Sequence, residues 1–149
     1  MIKRFNQDLF NQNDAPARKI VARSFLWLWG ITLVNNPDKY GVDLVAFKDG
    51  KVQGFVEFEV KHNWVGHRFP FRTAHFPARK ARIFEHQKRF GHSLPVIFVM
   101  FNQDMTSFLW FRGDDVMNGE RVLKKTKLTD WAEEFIEVPV SKGKKIKTA

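Results

Sequence analysis

The stretch from Tyr40 to Lys61, YGVDLVAFKDGKVQGFVEFEVK, constrains this chain more than any other. It reads as two strands joined by a tight turn at Asp49-Gly50. Side chains alternate along a strand, so Glu57, Glu59 and Lys61 project to one side while Val56, Phe58 and Val60 project to the other. Two carboxylates and an ammonium therefore share one face of an otherwise apolar segment.

The turn decides whether Asp43 joins them. A two-residue loop at Asp49-Gly50 pairs Lys48 with Lys51, sets Asp43 opposite Val56 and leaves it on the wrong face. A three-residue loop, Lys48-Asp49-Gly50, pairs Phe47 with Lys51 and sets Asp43 opposite Phe55, on the face of the acids. Gly50 then stands where a type I turn with a G1 bulge needs a left-handed residue, so the sequence permits this loop as well as the two-residue one. Asp43 is still only diagonal to Glu57 and lies farther from Glu59, so closing the cluster calls for a bend or bulge near Gly54.

Upstream, Asp14 reads as an N-cap with Pro16 in the first turn of a helix over Ala17 to Trp29, stopped by Gly30. Ile31 to Val34 is a first strand, and Asn63 to Phe76, which has no clean period, is read as a loop. Pro77 to Phe90 carries Ala81, Phe84, Gln87 and Phe90 at helical spacing and ends at Gly91. Leu94 to Phe101 is an apolar run of strand length, followed by a strand at Ser107 to Arg112. Asp114 to Lys127 fits either class. Thr129 to Phe135 is read as a short helix and Ile136 to Val140 as a short edge strand holding Pro139. The fold class is α/β, a central sheet flanked by helices. With 149 residues, 44% of them hydrophobic, and no internal linker, this is one domain over residues 1–140 with a basic, mobile tail over 141–149.

Charge narrows the partner. The formal net charge is +9, and the excess is local. Lys61 to His92 holds Lys61, Arg68, Arg72, Arg79, Lys80, Arg82, Lys88 and Arg89 against a single acid, Glu85, and it contains all five histidines. Lys142, Lys144, Lys145 and Lys147 form a second basic run. Such clustering points to a polyanion, and nucleic acid is the expected partner. Arg68, Arg72, Arg79, Lys80, Arg82, Lys88 and Arg89 are the candidate phosphate-backbone contacts, the bland alternative being a solvated basic face. The absence of cysteine excludes disulfides and thiolate metal sites and fits a reducing compartment. The longest apolar run, Phe25 to Val34, is too short to span a bilayer and lies too far along the chain for a secretory signal. The expectation is a cytoplasmic protein with no membrane partner, in the host cytoplasm if phage-encoded.

Phosphodiester hydrolysis near neutral pH needs an activated water and relief of charge on the phosphate, and a divalent cation held by hard oxygen ligands supplies both. Asp43 and Glu59 are suitable ligands, with the main-chain carbonyl of Val60 as a third. Lys61, two residues beyond Glu59 on the same face, can orient the water or stabilise developing charge. Gln87 lies on the helix side that meets the sheet, where it can reach that water or serve the core. His62, His67 and His75 match no common zinc spacing.

Asp43 followed after fifteen residues by Glu59-Val60-Lys61 resembles the signature of the PD-(D/E)XK nuclease superfamily, which includes Holliday-junction resolvases and phage or restriction endonucleases. Gly41-Val42-Asp43 opening the strand is also similar, as is the order of a helix, an acid-bearing hairpin, a basic helix and a buried strand. The resemblance covers about Asp14 to Phe101 and implies a mixed sheet with a restriction-endonuclease-like core. It implies Mg²⁺ (or Mn²⁺) on Asp43 and Glu59, Lys61 as the catalytic lysine, Glu57 as an accessory acid, and DNA as substrate. Homodimers are common in that superfamily. Three departures stand out. Val42 replaces the proline; Glu57 opens an alternative ligand set, Asp43, Glu57 and Glu59, with Glu59 in the lysine's place; and only Asp8 or Asp14 can supply an acid from the first helix. The reading is a metal-dependent deoxyribonuclease, directed by DNA structure such as a junction. The alternative is a non-catalytic basic nucleic-acid-binding module whose acids form cross-strand pairs.

Overall fold

In the computed structural model the described residues are 7–38, 40–61, 64–65, 69–90, 94–125 and 132–148. They form a mixed α/β fold: a six-stranded mixed sheet, a three-stranded antiparallel sheet and three α-helices. Helix α1 (Gln7–Trp29) leads into β1 (Thr32–Asn35), β2 (Leu44–Lys48) and β3 (Lys51–Val60), which pair antiparallel in sequence order. Next come β4 (Thr73–Pro77) and α2 (Lys80–Phe90), and the chain returns in β5 (Val96–Phe101), parallel to β3. Strand β6 (Ser107–Arg112), the short α3 (Gly113–Met117), β7 (Glu120–Lys125), β8 (Ala132–Pro139) and β9 (Lys144–Lys147) complete it. The large sheet runs β1-β2-β3-β5-β6-β9, and the small one runs β4-β8-β7.

The large sheet is covered on both faces, so its central strands are nearly continuous in apolar residues. On one side, Ala17, Val21 and Phe25 of α1 pack on Leu44, Ala46, Val56, Phe58, Val99 and Phe101. On the other, Phe84 of α2, Val116 of α3, and Ala74, Phe76, Ile136 and Val138 of the small sheet pack on Phe55, Phe98, Met100 and Phe111.

Several elements differ from the sequence expectation. Helix α1 starts at Gln7 and carries Pro16 and Asp14 within it, so Asp14 is not the cap. Burial of Ala17, Val21 and Phe25 offsets the ~3 kcal/mol that an interior proline costs a helix. Thr73–Pro77, expected in a loop, is β4, with Ala74 and Phe76 buried and His75 on the opposite face. Helix α2 begins at Lys80, after a turn at Ala78-Arg79. Residues 129–131 of the expected short helix lie outside the described residues, and Ala132–Phe135 belongs to β8. Nor is β8 an edge: it sits between β4 and β7, with Pro139 as its last residue, where a missing N–H interrupts no ladder. The basic tail is in part a strand, since Lys144–Lys147 pairs with Ser107–Trp110 of β6.

The hairpin reaches the expected face by another route. Its loop has two residues, with Lys48 paired to Lys51 and both Asp49 (φ 52°) and Gly50 (φ 75°) left-handed, as a type I′ turn requires. The register then slips, Phe47 pairing with Val52 but Ala46 with Gly54, so Gln53 is a bulge residue. Leu44 faces Val56, and continuing that register sets Asp43 opposite Glu57. Were Gln53 paired with Ala46 in an unbroken register, Asp43 would face Val56. Gly54 serves a close approach, because a Cβ there would lie 2.6 Å from the Pro95 carbonyl oxygen.

Candidate active site

Asp43 and Glu57 clasp each other across the strand pair. The Asp43 N–H donates to Glu57 Oε1 at 3.1 Å, and the Phe58 N–H donates to Asp43 Oδ2 at 3.1 Å. Each carboxylate thus accepts from the other strand's backbone, which fixes both rotamers. Glu57 is 3% exposed, because its face of β3 lies beneath α2.

Each of the three acids has its own cation. Arg18 of α1 places Nη2 3.4 Å from Asp43 Oδ1 and donates to the Asp43 carbonyl and to Asn35 Oδ1, with its guanidinium over the Phe58 ring. Lys80, the first residue of α2, puts Nζ 2.7 Å from Glu57 Oε2. Lys61 puts Nζ 3.3 Å from Glu59 Oε1 and donates to the His75 carbonyl on β4. Glu59 Oε2 is buried with no hydrogen-bond partner.

These contacts shift protonation. Burial, then a hydrogen bond shared with the Asp43 carboxyl, pushes Glu57 up to about 8 against the pull of Lys80. For Lys80, burial favours the neutral amine, but Glu57, Glu59 and Asp43 together outweigh it and raise its pKa. Both directions mean that the buried group holds its protons tightly.

Helix α2 also anchors the loop that delivers Asp43. Gln87, 4% exposed, accepts through Oε1 from the Val42 N–H (3.1 Å) and from Asn36 Nδ2 (3.0 Å). Asn36 Nδ2 also donates to the Val42 carbonyl. Gly41 belongs at this crowded point, since a Cβ there would come within 2.4 Å of Gln87 Oε1. From the adjacent position on α2, His86 Nε2 meets Asp38 Oδ2 at 2.6 Å, and this contact, ahead of the Tyr40 N–H, lowers the Asp38 pKa. Beside Asp43 opens a polar cleft of about 250 Å³, lined among others by Arg18, Asn35, Asn36 and Asp38.

The structure therefore brings Asp43 and Glu57 together directly, with Glu59 two residues farther along the same face of β3 and Lys61, just past the end of the strand, paired to Glu59. Val60 ends the strand, paired with Phe101 and turned to the opposite face. Lys80, expected among the phosphate contacts, is 8% exposed and paired with Glu57. Arg72, Arg79, Arg82 and Arg89 are exposed and Lys88 is half-buried. Arg68, His62 and His67, and the side chains of Asp8 and Asp14, lie outside the described residues. The His75 ring pairs with Glu137 Oε2 at 2.7 Å. Sequence reasoning missed Arg18 and the inward role of Lys80. Only the polarity of Arg18 on a mostly apolar helix, and the position of Lys80 one turn before Phe84, hinted at either.

Among the described residues no three His, Asp or Glu side chains stand close enough to hold a metal ion as they are. The donor chemistry nevertheless suits a hard cation: Glu57 and Glu59 share one face of β3, Asp43 stands across the strand pair from them, and Glu59 Oε2 is buried with no hydrogen-bond partner. Among the described residues no helix is long and apolar enough to cross a membrane. No protein-family model matches the chain, and no curated protein matches it.

Proposed function

We propose that this chain is a divalent-metal-dependent endonuclease of PD-(D/E)XK type that hydrolyses DNA phosphodiester bonds. The observation that carries the reading is the Asp43–Glu57 clasp, formed only because Gln53 bulges, with Glu59 and Lys61 following on the same strand face. The order α1, β1–β3 antiparallel, α2, then β5 parallel to β3 agrees with the element order that the sequence resemblance implies.

Asp43, Glu57 and Glu59 are the residues that would hold Mg²⁺ or Mn²⁺, with the Val60 carbonyl as a further oxygen. Such an ion neutralises phosphate charge and makes water more acidic. The protein's own groups do the rest. Lys61, held between Glu59 and the His75 carbonyl, is placed to stabilise charge developing on the phosphate. Lys80 supplies a second ammonium from α2. Gln87 keeps the Gly41–Asp43 segment in register. The exposed arginines Arg72, Arg79, Arg82 and Arg89, with Lys88, hold the nucleic-acid backbone without reading its sequence. Backbone contacts of this kind suit substrates distinguished by shape, such as junctions, flaps and nicks.

One observation favours a second reading: every acid already has a cation partner, as a purely structural network in a nucleic-acid-binding module would show. Cleavage of supercoiled plasmid and of a four-way junction, with Mg²⁺, Mn²⁺ or EDTA, separates them. The nuclease reading expects metal-dependent cutting that Asp43→Asn and Lys61→Ala both abolish, with DNA binding retained. Salt-sensitive binding without cutting under any metal would establish the binding module instead.

A further inference from the structure

The outer face of α2 carries more than solvated charge. Lys80, Ala81, Phe84 and Gln87 turn inward, while Arg82, His86, Arg89 and Phe90 recur at i, i+4, i+7 and i+8 along the opposite side. Glu85, the one acid of the helix, stands at the margin of this stripe. Rings and guanidinium groups are interleaved on it. The His86 and Phe90 ring centroids lie 4.8 Å apart, and Arg89 places Cζ 5.7 Å from the Phe90 centroid. Tyr40 extends the row from the loop before Asp43, with its ring 6.3 Å from His86. Asp38 fixes the arrangement from one side chain: Oδ2 meets His86 Nε2 at 2.6 Å, and Oδ1 accepts the Tyr40 N–H at 3.0 Å. Both ends of the row stay largely in water, Tyr40 being 68% and Phe90 58% exposed.

Charge and shape together select the occupant. An apolar protein face would bury the guanidinium groups without pairing them. An acidic protein surface would answer the charge and leave the rings unmatched. Duplex DNA offers phosphates here but keeps its base faces inside the stack. An unpaired strand offers both, phosphates to Arg82 and Arg89 and base faces to Tyr40 and Phe90, which is how single-stranded nucleic acid is held elsewhere. The row also leads to the site, because Asp38 lines the same cleft as Asp43.

We propose that the outer face of α2, with Tyr40, is a track for an unpaired DNA strand beside Asp43, and that it selects substrates exposing single strand over continuous duplex. The inference rests on the nuclease reading for its link to cutting, and it narrows the substrates to those, such as flaps, that carry unpaired nucleotides.

The test measures binding to the whole chain in EDTA by fluorescence anisotropy. Three labelled probes of one length are compared: a mixed-sequence single strand, its duplex, and an abasic strand that keeps the phosphates and lacks the bases. The wild type should bind the single strand more tightly than the duplex, and about fivefold or more tighter than the abasic strand. Tyr40→Ala and Phe90→Ala should each weaken single-strand binding by about fivefold or more and leave duplex and abasic binding within about twofold. Arg82→Gln should weaken all three probes alike, as loss of a phosphate contact does. The abasic comparison needs no variant, so it decides the matter even where an alanine protein fails to fold. Equal affinity for base-bearing and abasic strands, or equal losses on single strand and duplex in Phe90→Ala, overturns the track. Plasmid cutting in Mg²⁺ with no single-strand preference removes this inference and keeps the nuclease reading. A single-strand preference lost in Phe90→Ala, with no cutting under any metal, removes the nuclease reading and keeps the track.

Discussion

Replacing Glu57 with glutamine should reverse part of the protein's pH dependence of stability. Glu57 is buried beneath α2 and raised from 4.5 to about 8, first by burial and then by the hydrogen bond it shares with Asp43. Between those two values the folded state holds a proton that the unfolded state has released. A carboxyl raised on folding contributes stability that is fully present below 4.5 and is lost as pH climbs through 8. The slope for one proton is about −1.4 kcal/mol per pH unit, an upper bound, because Lys80 at 2.7 Å favours the carboxylate. Glu57→Gln keeps the shape and the acceptor for the Asp43 N–H but cannot titrate. Urea denaturation of both proteins at pH 5.5, 6.5, 7.5 and 8.5 gives a difference curve in which titrations common to both cancel. The stability of the wild type minus that of the Glu57→Gln variant should fall steadily across this range, by a few kcal/mol in total. A flat or rising difference would show that Glu57 is ionised throughout and that Lys80, not burial, governs it.

Other outcomes follow from the same geometry. Deleting Gln53 removes the bulge but leaves Gly54 directly after Val52 and opposite Ala46, so Asp43 stays opposite Glu57, and a structure or amide-exchange map should show the Asp43 and Phe58 N–H bonds and the Asp49-Gly50 turn all retained. Gly41→Ala drives a Cβ to 2.4 Å from Gln87 Oε1 and 2.8 Å from Asn36 Nδ2, and thermal denaturation should register about 1–3 kcal/mol of destabilisation. Removing the positive charge of Arg79, Arg82 or Arg89 should leave stability within about 0.5 kcal/mol, since all three are exposed. In a salt titration of DNA affinity, each such residue that contacts a phosphate should reduce the log–log slope by about 0.9.

What the sequence determined by itself is what depends on period and local chemistry. The alternation of Glu57, Glu59 and Lys61 against Val56, Phe58 and Val60 sets which side chains share a face, whatever covers the sheet. The helical spacing of Ala81, Phe84 and Gln87 orients α2, and the apolar run ending at Phe101 makes β5 a central strand. Basic clustering between Arg72 and Arg89 is likewise readable without coordinates. Where local chemistry was ambiguous, tertiary packing decided. Thr73–Pro77 and Ala132–Pro139 are too short and too mixed to call for pairing, and they become strands because they complete each other beneath the large sheet. Asp49-Gly50 serves either loop length, and the choice came with a one-residue slip at Gln53, beside the Gly54 where the sequence reading called for a bend or bulge. The cations of the site are the furthest from view. Arg18 and Lys80 stand 25 and 23 residues from the acids they hold, on helices covering opposite faces of the sheet. Periodicity states which way a side chain points on its own element; only the packing of elements states what charge it meets there.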